Sequence, residues 1–218
     1  MADRLFSDLV SLVMPSVPGA STPLITNQVR TTAIEVCERT LAWRFNLADV
    51  TLVAGTYSYA YVPPSNSEVH TVFTATVNEG IILTMLTPET FRKKWPDYPS
   101  TDTAKRSTPQ NFMTISPNAY QILPVPDAAT TYTLRMHAAL RPTKAATGMD
   151  EIYLDDLESV IVHGVLQQLL VLPGQVWSDR ELAAYHAKQF VFQVAERRAR
   201  ATLGSGRASP SVRMTKWA

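Results

Sequence analysis

The chain has 218 residues, 45% of them hydrophobic and 18% charged, with a formal net charge of +1. That balance supports a packed core and gives no bulk attraction to nucleic acid. The single cysteine, Cys37, excludes an internal disulfide and any cysteine-based metal cluster. No apolar run approaches the roughly 20 residues of a membrane span. Residues 1–14 carry Asp3 and Asp8 among mixed polar and apolar positions, unlike a signal peptide. The sequence thus reads as soluble and intracellular, without membrane contact.

Residues 3–14 place Leu5, Phe6, Leu9, Val10, Leu12 and Val13 at helical spacing, which predicts a first helix closed by Pro15. Pro18-Gly19 makes a turn. Thr22 is placed to cap a second helix, with Pro23 at its first position, where the missing N–H costs nothing. Ile25, Val29, Ala33, Val36, Cys37, Thr40 and Leu41 carry that helix to about Trp43.

From Leu47 the period changes to that of strands. Residues 50–53, 57–61, 69–77 and 81–84 are β-branched and aromatic runs punctuated by Gly55, Pro63-Pro64 and Gly80. Thr87-Pro88-Glu89-Thr90 starts a short helix through Phe91 and Trp95. Residues 99–109 read as a polar loop. Strands resume at 111–115, 119–123 and 130–140, and residues 141–148 form a linker.

A helical hairpin spans residues 150 to about 200. Its first arm is apolar nearly all round, which predicts burial on most sides. Asp150, Glu151, Asp155, Asp156 and Glu158 crowd its first turns, at the positive end of the helix dipole. Pro173-Gly174 stops it, and Ser178-Asp179-Arg180-Glu181 reads as a capping box. The second arm carries Leu182, Tyr185, Phe192 and Ala195 on one stripe. Ala183, Ala187, Phe190, Val191 and Val194 lie beside it. A connection this short makes the two arms antiparallel.

The predicted class is α+β. Helices from both chain ends form a bundle, with an inserted antiparallel β-rich subdomain and an extended C-terminal tail. The corresponding division is 1–45, 46–148, 149–202 and 203–218.

No residue pattern supports catalysis, so the chain is expected not to be an enzyme and to need no cofactor or metal. His163 has no second histidine at helical spacing and reads as a core residue; His186 reads as solvated. Asp155 with Glu158 reads as solvated charge at a helix start, and Cys37 as an inert buried thiol. Gly204-Ser205-Gly206 lacks the strand and helix of a phosphate loop.

After Glu196 there is no acidic residue, while Arg197, Arg198, Arg200, Arg207, Arg213 and Lys216 follow. Three readings of this basic tail stand: contact with nucleic-acid phosphates with Trp217 to stack, a solubilising extension, or a docking arm for a protein partner. In the third, Val212, Met214 and Trp217 are apolar anchors and the cations steer.

Three stretches point further. Residues 18–45 read P-G-A-S-T-P-L-I-x-x-x-V-R-x-x-A-I-E-V-C-E-R-T-L-A-W-R-F. Residues 116–128 read S-P-N-A-Y-Q-I-L-P-V-P-D-A, followed by Tyr132-Thr133-Leu134-Arg135. From Leu169 the hairpin reads L-x-x-L-P-G-Q-V-W-S-D-x-E-L-A-A-Y-H-A-K-Q-F. Taken in order, they resemble the head-to-tail adaptor (connector) proteins of tailed bacteriophages, particularly short-tailed ones. Leu41 departs from relatives that often carry an aromatic residue there.

The resemblance implies a virion component at the head–tail interface: a ring, usually of twelve copies, clamped between the portal protein and the tail nozzle protein. Genomic DNA would pass through its lumen without sequence-specific binding. It implies no catalysis and no cofactor. On this reading Arg207, Arg213, Met214, Lys216 and Trp217 form the portal docking arm. The alternatives are a nucleic-acid-binding protein using the tail, or an adaptor that also hydrolyses cell wall, for which Glu79, Asp97 and Glu158 are the candidate carboxylates.

Overall fold

The computed structural model describes residues 3–78, 80–96 and 103–203. The chain enters as a strand rather than the helix its periodicity predicts. β1 (Asp3–Leu5) pairs antiparallel with β11 (Gly148–Asp150), in the stretch expected to end a linker. Gly148 permits this approach, because a Cβ there would collide with the Arg4 carbonyl. A 3-10 turn (Phe6–Leu9), the one-turn helix α1 (Val10–Val13) and a second 3-10 turn (Met14–Ser16) follow. These tight turns keep the three-residue spacing that mimics a continuous helix, and Phe6, Leu9, Val10 and Val13 are all buried.

α2 (Thr22–Thr40) starts one residue after its N-cap Ser21, so Thr22 lies inside the helix rather than capping it. It stops short of Trp43 because Leu41 takes a left-handed conformation, with φ of 54°. Arg44–Asn46 is then a strand, β2, which the sequence reading did not anticipate. β3 (Val50–Leu52), β4 (Ser58–Ala60), β5 (Ser67–Val77), β6 (Ile81–Ile82) and β7 (Thr84–Met85) follow. α3 (Pro88–Lys94) is capped by the Thr87 hydroxyl, which accepts from the Thr90 N–H. β8 (Asn111–Ser116), β9 (Ala119–Leu123) and β10 (Tyr132–Pro142) complete the β-rich stretch.

One five-stranded sheet has the order β2-β10-β5-β6, with β3 also pairing β10. The long β5–β10 pair is antiparallel, with register shifts beside Ala138 and Leu140. These irregularities go with the run Ala138, Ala139 and Leu140, all fully buried where strict alternation would expose one. A second sheet, β4-β9-β8-β7, is antiparallel except for the β7–β8 pair.

The hairpin is α4 (Glu151–Leu169) and α5 (Arg180–Leu203). α4 ends at Leu169, before Pro173-Gly174, and Gly174 turns the chain with φ of 75°. The α5 cap is Asp179, whose Oδ1 accepts from the Glu181 and Leu182 N–H groups. Ser178, expected to cap, instead donates its hydroxyl to the Leu170 and Leu172 carbonyls and closes the loop. A carboxylate one residue on is the better acceptor for the free N–H groups.

The class is α+β, with five helices and three mostly antiparallel sheets among the described residues. The expected bundle of N- and C-terminal helices does not form. The N-terminal stretch supplies one long helix instead of two, and α2 packs on β10 as well as on α4 and α5. One hydrophobic core runs through both layers, joining Ile25, Val36, Leu157 and Phe190 of the helices to Ala75, Leu134 and Leu140 of the sheet. Arg141 ties the layers at their edge, donating to Glu38 of α2 and, at 2.8 Å, to Glu68 of β5. Phe91, Met113, Leu123 and Val125 make a second, smaller core beneath α3.

Candidate assembly surface

Among the described residues, the carboxylates and the thiol named above are taken up in ion pairs or in the core. Asp155 and Glu158 both accept from Arg4 Nη1, at 2.6 and 2.7 Å, which pins β1 onto the first turns of α4. Asp156 pairs with Arg197 across the hairpin. Cys37 is fully buried, and burial pushes its thiol up to about 12. A surface cleft of about 610 Å³ beside α3 is lined by Tyr57, Phe91, Arg92, Trp95, Met113 and Gln121, among other described residues. Its described lining holds no carboxylate, imidazole or thiol. Glu79 and Asp97 lie outside the described residues, as do Arg207, Arg213, Met214, Lys216 and Trp217.

The two histidines read as unrelated in the sequence meet across the hairpin. His163 Nδ1 of α4 lies 2.7 Å from His186 Nδ1 of α5, and His186 is only 9% exposed, not solvated. The signal was present. His163 lies eleven residues before Gly174 and His186 twelve after it, so a hairpin folded at that glycine brings them level. Spacing along one helix could not reveal a partner on the next.

α5 itself turns the opposite way from the first-named stripe. Ala183, His186, Phe190 and Val194 face the core. Phe190 fits against Gly164 of α4, where a Cβ would meet its ring at 2.7 Å. The Arg39 guanidinium of α2 lies 5.4 Å from the centroid of the same ring. That leaves Tyr185 at 53%, Phe192 at 67% and Leu203 at 61% exposure along the outer side of α5. Ala195 and Ala199 lie on the same side, both exposed. A helix apolar on two sides carries more nonpolar surface than its own fold covers, the pattern of an interaction face. The choice between stripes was not legible because both have helical period; the small Gly164 opposite Phe190 decides it.

No described helix is long and apolar enough to cross a membrane. Among the described residues no group of three or more histidine, cysteine or acidic side chains is placed to hold a metal. The described surface of α5 offers exposed apolar area at Tyr185, Phe192 and Leu203.

No curated protein matches the sequence. A family model described as SU10 adaptor protein matches residues 5–214, nearly the whole chain. The chain therefore belongs to the SU10 adaptor protein family, and is a phage adaptor, a structural class of protein.

Proposed function

We propose that this protein is the ring-forming head-to-tail adaptor of its phage, joining the portal protein to the tail nozzle around the DNA exit channel. Copies pack side by side, twelve to the ring. The observation that carries this reading, beyond family membership, is the exposed apolar side of α5 (Tyr185, Phe192, Leu203) leading directly into the basic C-terminal segment.

On this reading α5 supplies contact with a neighbouring copy, and residues 203–218 dock on the portal. Arg207, Arg213 and Lys216 steer, while Met214 and Trp217 anchor. Repetition around the ring lets each contact be individually weak. The β-rich stretch or its 99–109 loop meets the nozzle or a neighbour. Genomic DNA passes through the lumen without sequence-specific contact, and the protein ends in the virion.

Co-sedimentation with purified portal rings tests this. The full chain should pellet with portals, and a chain truncated after Thr202 should stay folded and remain in the supernatant. Pelleting by the truncated chain would remove the docking arm from the account. Filter binding to short duplex DNA at two salt concentrations separates it from a nucleic-acid-binding role, which demands tight binding that falls steeply with salt.

A further inference from the structure

The His163–His186 contact is unused by the assembly reading. The rings lie 5.0 Å apart between centroids and tilted by 39°, with the Tyr185 ring edge-on to both. At 2.7 Å between the two Nδ1 atoms, one nitrogen carries the hydrogen and donates while the other accepts. The pair therefore holds one proton between these two atoms. One added proton makes one ring an imidazolium that can still donate to the neutral other; a second makes both rings cations, with two Nδ1–H donors head to head inside a helix interface.

We propose that this pair is an acid-sensitive latch, holding α5 on α4 at neutral pH and releasing it when both imidazoles become charged. The surroundings offer the added charge nothing. From α4, Glu158 is taken by Arg4. From α5, the adjoining group is the Tyr185 ring, while the cation Lys188 is exposed two residues along the helix. From α2, Arg39 lies over Phe190 and is paired with Glu35. Among the described residues no carboxylate is set to offset an imidazolium here.

Burial lowers both histidines below the ordinary imidazole range, and for His186 the neighbouring His163 charge lowers it further. The unfolded chain therefore binds protons that the folded pair refuses. The pair's contribution is complete above the ordinary value of about 6.5 and is lost as pH falls through that value toward the lowered folded ones. The segment released is α5 together with the basic extension it carries. His137 is also lowered, by burial and then by the Arg44 charge, but it lies on β10, so the response must be localised to be assigned.

Hydrogen exchange of the full chain at pH 7.5 and pH 5.5, corrected for intrinsic rates, localises it. The latch requires residues 180–203 to lose protection by at least about tenfold at the lower pH, while β5 and β10 keep theirs. The double variant His163→Gln, His186→Gln should lose that pH dependence. Uniform loss across the protein, unchanged protection of α5, or equal pH dependence in the double variant would overturn the latch. Should the double variant not fold, a side-chain NMR titration of the wild-type protein decides. The latch demands two separated ring titrations, both below the ordinary histidine value; two independent titrations at that value would refute it.

Discussion

Replacing Gly164 with alanine probes the junction where α2, α4 and α5 meet. An added Cβ would lie 2.5 Å from Thr32 Cγ2 and 2.7 and 2.9 Å from two carbons of the Phe190 ring. Thr32 and Phe190 are themselves fully or almost fully buried, so neither has open space to move into. Overpacking of this kind costs about 1–3 kcal/mol, and contacts on two different helices argue for the upper end. Alanine is favoured over glycine inside a helix by about 1 kcal/mol, which offsets part of that. The net expectation is a loss of about 1–2 kcal/mol. For a chain of this size that lowers the melting temperature by roughly 2–8 °C. Urea unfolding followed by circular dichroism measures it, and a compensating Thr32→Ala supplies the control. The Thr32 hydroxyl is buried without a hydrogen-bond partner, so its removal costs little and frees the space the new methyl needs. The double variant should recover at least half of the loss, a coupling of about 1 kcal/mol. A Gly164→Ala protein as stable as the parent, or additive losses in the double variant, would refute this packing of the three helices.

Arg141→Ala should cost about 1–2 kcal/mol, between the values for exposed and buried ion pairs, because it leaves Glu38 and Glu68 without their shared cation in a partly buried seam. Urea titration measures it, and a change below a few tenths would show that the seam is held by packing alone. Tyr120→Phe should leave stability within about 1 kcal/mol of the parent, since its buried hydroxyl has no partner while its ring packs against Phe112, Tyr59 and Tyr61. A larger loss in thermal unfolding would reveal a partner for that oxygen. Phe192→Ser should leave the melting temperature nearly unchanged, the side chain being largely exposed, yet weaken adaptor binding to portals in the pelleting assay.

The strands were legible because valine, isoleucine, threonine and tyrosine alternate there with polar residues between clear turn signals. β5 and β10 emerge close to where that pattern places them. β1, β2 and β11 were not legible. Each is three residues long and is defined by a distant partner, as Asp3 is by Asp150 and Phe45 by Ala138. The short helical turns after β1 imitate one amphipathic helix because they share its spacing, which is how a bundle was read from both chain ends. α4 and α5 were legible as helices, but which side of α5 is covered depends on the Gly164–Phe190 fit, a contact between helices that no single-helix pattern encodes. The histidine pair belongs to the same class: visible only once the hairpin is folded at Gly174 and its arms are laid level.

The central claim is that the outer side of α5 and the basic extension beyond it build a ring on the portal. Electron microscopy of purified portal rings mixed with an excess of this protein tests it most directly. The account requires an added ring of density on one face of the portal with the full chain, and none with the chain truncated after Thr202. Bare portals with the full chain at saturating concentration, or rings formed equally well by the truncated one, would contradict it.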